Sequence, residues 1–336
     1  MATTIKEVAS KANVSIATVS RALNDGSKVR PSTKESILII AEKLNYKPNI
    51  IARNLVKKNT SIIGLVLPEI QGDFFTDIIK GVDEVAYSSK YHIIVASSHS
   101  ERPVVESLMN FMGRSMVDGV IIMSPLINDR IKEIIKKSDT PLVIIDCVSP
   151  IENVDTVNID NFQGAYAITE YLIKNLGYKK VAHVEGPANN NDAIQRKAGY
   201  IEALYKNNIP IKQEWIVPGG FTSDGGRLAC SRLLSLIEKP EVIFAGNDMM
   251  AAGCYKAIDS LGFKVPDDIG VAGFDDIFLS EFLTPRLTTV HIPIIEIGKS
   301  AARLLINKIK NGKDHKPKHL KVSTGIIVGE SCKFQK

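Results

Sequence analysis

From Ser61 onward, short unbroken apolar runs alternate with amphipathic stretches, and this alternation begins twice. The first series is 62–67, 92–97, 118–123 and 141–146; the second is 180–184, 241–246 and 269–274. An apolar run of this length, with no polar residue at every second place, is buried on both faces. That is the condition of a parallel strand sandwiched between helices. The intervening segments, such as Phe75–Ser89 and Val104–Arg114, carry helical spacing. Two consecutive doubly wound α/β units of about 100–120 residues each fit this pattern. Two near-matching segments, Asn158–Ala167 and Thr288–Ala301, lie where the units have to connect.

The first sixty residues follow a different rule. Thr4 is placed to cap a helix over 5–12 with Ile5, Val8 and Ala9 on one face, and Ser15 to cap a second over 16–24 with Val19, Ala22 and Leu23 inward. After a turn at 24–27, Ser32 is read as the cap of a third helix reaching Leu44, with Ile37, Ile40, Ala41 and Leu44 on its apolar side. Pro48 opens a segment to Val56 long enough for about two helical turns, too short to be stable alone in water. The charge is uneven as well. Residues 1–60 hold eleven Lys and Arg against four Asp and Glu, while the other 276 hold 31 against 33. A basic head on a near-neutral body suits a polyanion partner, although a solvated basic face has the same composition. The segment Lys308–Lys336, with eight Lys, two acids, Gly312 and Pro317, reads as a solvated terminus.

With 336 residues, 44% of them hydrophobic and 24% charged, the chain is expected to fold into two or three ordinary globular domains. Lys6 and Glu7 interrupt any secretory signal, and the longest apolar runs fall far short of a bilayer span, so no membrane partner and a cytoplasmic location are expected. Cys147, Cys230, Cys254 and Cys332 are too far apart for a zinc or redox pair and are expected to be reduced and buried.

Catalytic signatures are missing where a doubly wound sheet would carry them. No G-x-G-x-x-G loop exists; Gly298-Lys299-Ser300 mimics the end of a phosphate loop, but Pro293 stands where its first glycine should be. There is no G-x-S-x-G and no H-E-x-x-H. His315 and His319 are separated by Lys-Pro-Lys, which argues against a shared helix face, so neither a metal nor a cofactor is expected. Asp248 and Asp276 remain the candidates should an acid pair exist.

Thr4–Asn24, TIKEVASKANVSIATVSRALN, resembles the helix-turn-helix of the lactose-repressor (LacI/GalR) family, with a head similar to its catabolite control protein branch. Tyr46–Leu55 resembles that family's hinge helix. The resemblance continues through Ile63–Val66, Val117–Ile121, Phe244–Asp248, Val265–Asp275 and Leu287–Val290, and so spans nearly the whole chain. It implies a sequence-specific transcriptional regulator and a homodimer that binds a pseudo-palindromic DNA operator with a central CG step. No leucine-heptad tail follows Val328, so a dimer is expected in preference to a tetramer. Ile16, Ala17 and Arg21 match the base-reading positions. Arg21 can fork onto guanine, whereas Ile16 and Ala17 can only sense thymine methyls or exclude bulk, and Ile16 has a core contact as its alternative. Thr4, Thr18, Ser20 and Asn24 match phosphate contacts. Leu55 matches the residue that wedges into the minor groove, against a plain role in a linker core, with Arg53 beside it.

The resemblance extends to two lobes of periplasmic-binding-protein type with an effector between them. It implies a site from Asp73, Phe74, Phe75, Asp146, Arg196, Phe221, Asn247 and Asp275, in which Asn247 and Asp275 have helix capping as their alternative. The loop Asn189–Asp192 varies with ligand in the family. The arginine that a purine-type site would carry near Asn190 is missing, which favours a sugar. The expected domains are a head at 1–47, a hinge and linker at 48–60, and a ligand and dimerisation domain at 61–336. Its two lobes are expected at 61–160 plus 291–320 and at 161–290 plus 321–332. The alternatives are a catabolite-control-type regulator answering to a phosphoprotein corepressor, and an α/β enzyme with a DNA-binding domain.

Overall fold

Two units divide the chain, Met1–Thr60 and Ser61–Lys336. The structure, a computed structural model, describes residues 3–24, 29–46, 60–70, 72–97, 110, 116–124, 129–147 and 151–335. The expected hinge helix with Arg53 and Leu55, and nearly all of the helix expected over Val104–Arg114, lie outside the described residues.

In the first unit, α1 (Ile5–Lys11), α2 (Ile16–Asn24) and α3 (Pro31–Lys43) enclose Val8, Ala9, Val19, Ala22, Ile37 and Ala41. Each apolar stripe identified by helical spacing is the buried one. The Thr4 amide donates to Glu7 Oε2 at 2.8 Å, which fixes the start of α1. Asn13 turns the chain at φ 51°, a conformation that Asn tolerates. Ser15 Oγ then accepts from the Thr18 amide at 3.1 Å and caps α2. The third cap differs from expectation. Helix α3 begins at Pro31, with Arg30 in the cap position, because a proline at the first helical place lacks only an N–H that would have no partner there.

The described residues of the second unit form two six-stranded sheets. The first lobe takes β1 (Ile62–Leu67), α4 (Asp73–Ser88), β2 (His92–Ser97), β3 (Gly119–Met123), α5 (Asp129–Lys137), β4 (Leu142–Ile145) and β5 (Asp155–Ile159). The chain then enters the second lobe. There α6 (Asn161–Glu170), β6 (Val181–Glu185), α7 (Asn191–Lys206), β7 (Ile216–Pro218), α8 (Ser223–Leu234), β8 (Val242–Ala245), α9 (Asp248–Ser260), β9 (Gly270–Asp275) and β10 (Thr288–His291) follow. Helix α10 (Ile294–Asn311) and β11 (His319–Val322) return to the first lobe, and β12 (Gly325–Ile327) closes the second.

The strand orders are β11-β5-β4-β3-β1-β2 and β12-β10-β9-β8-β6-β7, and among the described residues every pairing is parallel except β10 with β12. The chain therefore passes between lobes three times, at the two segments singled out in the sequence and again between β11 and β12. Strands β3, β4 and β9 are buried along their whole length, as unbroken apolar runs require. Helices α4 and α10 pack backbone to backbone through Gly81 and Gly298. A Cβ on the first would collide with the Ile295 carbonyl oxygen, and one on the second with that of Ile78.

Lys308–Lys336 is not a solvated terminus. It supplies the end of α10, β11 and β12, and it is tied down through the fully buried Asp155. That carboxylate accepts from His315 Nε2 at 2.9 Å, the Lys318 amide at 3.0 Å and Lys308 Nζ at 3.3 Å. The lysine-rich composition hid one acidic anchor lying more than 150 residues away in sequence. Among the described residues, no helix is long and apolar enough to cross a membrane.

Candidate DNA-reading face and ligand cleft

Helix α2 has two distinct sides. Val19 and Ala22 are buried, while Ile16, Ala17 and Arg21 lie in solvent. Ile16 is 45% exposed, so its core alternative fails. Capping by Ser15 leaves the first turn ordered and outward-facing. Thr18 Oγ1 stands 2.9 Å from Ser15 Oγ and is half-buried, as is Ser20; Thr4 is exposed at the start of α1. The side chain of Asn24 lies outside the described residues.

Behind the cleft of the second unit, Arg196, on α7, organises a buried cluster. The residue is only 4% exposed, and its guanidinium stacks on Phe274 with Cζ 3.8 Å from the ring centre. Nε donates to Asn161 Oδ1 at 2.8 Å and Nη1 to the Gly246 carbonyl at 2.7 Å, with Asp275 Oδ1 3.0 Å from Nη1. Asn161 in turn donates through Nδ2 to Asp192 Oδ1 at 3.0 Å. One cation thus joins α6, α7, the β8–α9 turn and the end of β9. Burial pushes the Asp275 carboxyl up to about 6, even though Arg196 beside it pulls the other way.

Asp146 follows β4 at φ 59°, and its Oδ1 accepts from the Ile159 amide at 3.2 Å. Burial, reinforced by Asp192, holds its carboxyl well above the usual range. Asp146 and Asp192 both line a cleft of about 270 Å³, together with Cys147, Asn158, Gln195 and His319.

The remaining expected residues divide. Asn247 is the cap of α9: Oδ1 accepts from the Met250 amide at 2.9 Å, and Nδ2 donates to the Phe221 carbonyl at 3.2 Å. Asp275 caps nothing; it meets Arg196. The Phe221 ring lies 5.5 Å from the guanidinium carbon, at the outer side of the cluster. Phe74 and Phe75 pack edge to face at 5.5 Å against the core, and Asp73 opens α4 after Gly72. Among the described residues, none of these three is hydrogen-bonded or paired with Arg196.

Asn161, Asp192 and Phe274 were not among the expected site residues. The loop Asn189–Asp192 had been singled out, so Asp192 carried a signal; Asn161 and Phe274 acquire theirs only from long-range packing.

Comparison with known proteins decides the assignment. Residues 60–330 match the family described as periplasmic binding proteins and sugar binding domain of the LacI family, and residues 4–49 match the bacterial regulatory proteins of the lacI family. The chain belongs to the LacI family. It is 37% identical over 309 residues to catabolite control protein A of Priestia megaterium, covering 91% of this chain and 92% of that protein. It is 33% identical over 331 residues to the HTH-type transcriptional repressor PurR of Mannheimia succiniciproducens, covering 98% of each. Among solved structures it is similar to a complex of the transcriptional regulator CelR with cellobiose, at 28% identity, a TM-score of 0.74, and coverage of 98% of this chain and 99% of that one.

This LacI-family chain is thus a DNA-binding transcriptional regulator with a periplasmic-binding-protein-like domain. The two carboxylates left for an enzymatic reading are already committed. Asp248 Oδ1 accepts from Thr289 Oγ1 at 2.6 Å and Oδ2 from the Ile277 amide at 3.0 Å, which ties α9 to β10. Asp276 holds His291 Nδ1 at 2.7 Å and Ser280 Oγ at 3.2 Å.

Proposed function

We propose that this regulator is a homodimeric, cytoplasmic repressor whose operator affinity is set by a small polyhydroxylated ligand, such as a sugar, held between its two lobes. The observation that carries the reading is the Arg196 cluster, a buried and pre-organised set of hydrogen-bonding groups backed by an aromatic face, at the place where the lobes are joined. Carboxylates and amides suit hydroxyls, and Phe274 serves by holding the Arg196 guanidinium in place. Arg21 reads a guanine in each half of a pseudo-palindrome, and Ile16 and Ala17 sense neighbouring methyls or exclude bulk. Thr4, Thr18, Ser20 and Asn24 orient the head on phosphates, and Leu55 opens a central CG step from the minor groove. Ligand binding favours one of two lobe arrangements and thereby alters operator affinity. The similarity to catabolite control protein A supports a second reading, in which a phosphoprotein supplies the control.

Fluorescence anisotropy of palindromic duplexes at fixed salt, with and without a panel of sugars, tests this. The expected result is tight, sequence-selective binding that shifts with one sugar and collapses in Arg21→Ala and Leu55→Ala. Tight binding indifferent to every sugar favours the phosphoprotein, and binding without sequence preference overturns the operator reading.

A further inference from the structure

The acidic groups of the cleft outnumber its basic ones. Asp146, Asp160 and Asp192 line it, and Asp275 stands behind it. Two of these acids are answered: Lys321 Nζ lies 2.8 Å from Asp160 Oδ2, and Arg196 Nη1 3.0 Å from Asp275 Oδ1. His319, the other basic lining group, is engaged at Nδ1 by Thr156 Oγ1 at 3.0 Å. Asp146 and Asp192 are left, with Arg196 already committed as the cation they share. Asp192 Oδ1 has the Asn161 amide, but Asp146 Oδ2 has no partner among the described residues, although Asp146 is only 3% exposed. A buried carboxylate oxygen without a donor is costly and calls for a donor that arrives from outside.

Resting on the reading of this cleft as the ligand site, we propose that the ligand carries a protonated amine beside its hydroxyls, a polyhydroxylated amine of the amino-sugar type, with the ammonium shared by Asp146 and Asp192. A neutral sugar supplies hydroxyl donors but no charge, so it leaves Asp146 and Asp192 to keep their protons. A phosphorylated or carboxylated sugar meets repulsion from the same two acids. An ammonium supplies three donors and the missing charge together.

The proposal has a proton signature. In the empty cleft the Asp146 and Asp192 carboxyls are raised, chiefly by burial, and Asp275 to about 6. An arriving ammonium displaces the protons they retain, so amine affinity rises with pH through the carboxyl range until the amine itself deprotonates. The charged groups acting on Asp146 are Asp192 and Arg196 from α7 and Asp275 from β9, and the cleft lining adds Asp160, His319 and Lys321.

Titration calorimetry of the full chain tests this with glucose, galactose and mannose against glucosamine, galactosamine and mannosamine, in two buffers of different ionisation enthalpy. The expected result is an amine that binds about tenfold or more tightly than its neutral counterpart, with proton release. The preference should fall in both Asp146→Asn and Asp192→Asn, whose amide oxygens can keep the existing bonds from Ile159 and Asn161. A neutral sugar that binds as tightly as its amine overturns the proposal and leaves the cleft reading standing. An amine preference unchanged in both variants also overturns it, and binding of neither set overturns both readings.

Discussion

The head and the cleft keep their candidate binding groups in opposite places. Ile16, Ala17 and Arg21 project from one helix into water, while Val19 and Ala22 of the same helix hold the core. Asn161, Asp192, Arg196 and Asp275 come from three elements and are buried. A face that meets a large, rigid polyanion can wait solvated at little cost. A site for a small polar ligand has to be desolvated and aligned beforehand, and buried ion pairs are weak contributors to stability until one partner is removed. Substitution in the head should therefore change binding alone, whereas substitution in the cleft should change binding and folding together.

The largest effect is expected at Arg196. Arg196→Met strands Asp275, the Asn161 carbonyl and the Gly246 carbonyl, and should cost about 3–5 kcal/mol in denaturant unfolding while abolishing the ligand response. A variant of normal stability would remove the contrast between the two regions.

His183, on β6 of the same lobe, is next. Its ring stacks between Tyr200 and Phe244 at 5.0 and 4.9 Å, and burial pushes it down from 6.5 to about 4. The unfolded chain takes up a proton that the folded chain refuses. Its contribution is therefore intact above 6.5 and is lost as the pH falls towards about 4. Asp275, raised to about 6, works in the opposite direction, stabilising the fold as the pH falls. Comparing thermal unfolding of the wild type with His183→Phe across this window isolates the histidine, at a difference of about 3 kcal/mol at the acid end. Parallel pH profiles for the two proteins would contradict the assignment.

In the head, Arg21→Ala should weaken binding to the preferred duplex by about 1–3 kcal/mol and relax selectivity at one base, with unfolding unchanged. The smallest effect is expected for Ser15→Ala. Loss of the α2 cap should cost about 1 kcal/mol of stability and weaken DNA binding only through fraying of the first turn. If Ser15→Ala impaired binding more than Arg21→Ala did, the first turn's order would matter more than its readout.

The same contrast explains what the sequence disclosed. The head is made of local relations: a cap three residues before an amide, apolar places at helical spacing, a turn at Asn13. Those can be read directly, apart from the start of α3, where proline outcompeted serine. The strands were legible because burial on both faces leaves an unbroken apolar run. The basic C-terminal segment misled because its partner, Asp155, is distant in sequence. Asn161 and Phe274 were illegible for the same reason. An asparagine at a crossover and a phenylalanine inside an apolar strand look ordinary until α7 lays Arg196 across them. Asn247, expected in the effector site with capping as its alternative, shows the converse, since its cap bond to Met250 is local and the structure contains it.

The central claim is that the cleft and the DNA-reading face are coupled through lobe arrangement, and reciprocity tests it most directly. Ligand affinity should be measured by titration calorimetry on the full chain, free and saturated with its preferred duplex. The account predicts affinities that differ by about 5–150-fold, equal to the factor by which the ligand changes duplex affinity. Identical ligand affinities in the two states would contradict it, however tightly each partner binds alone.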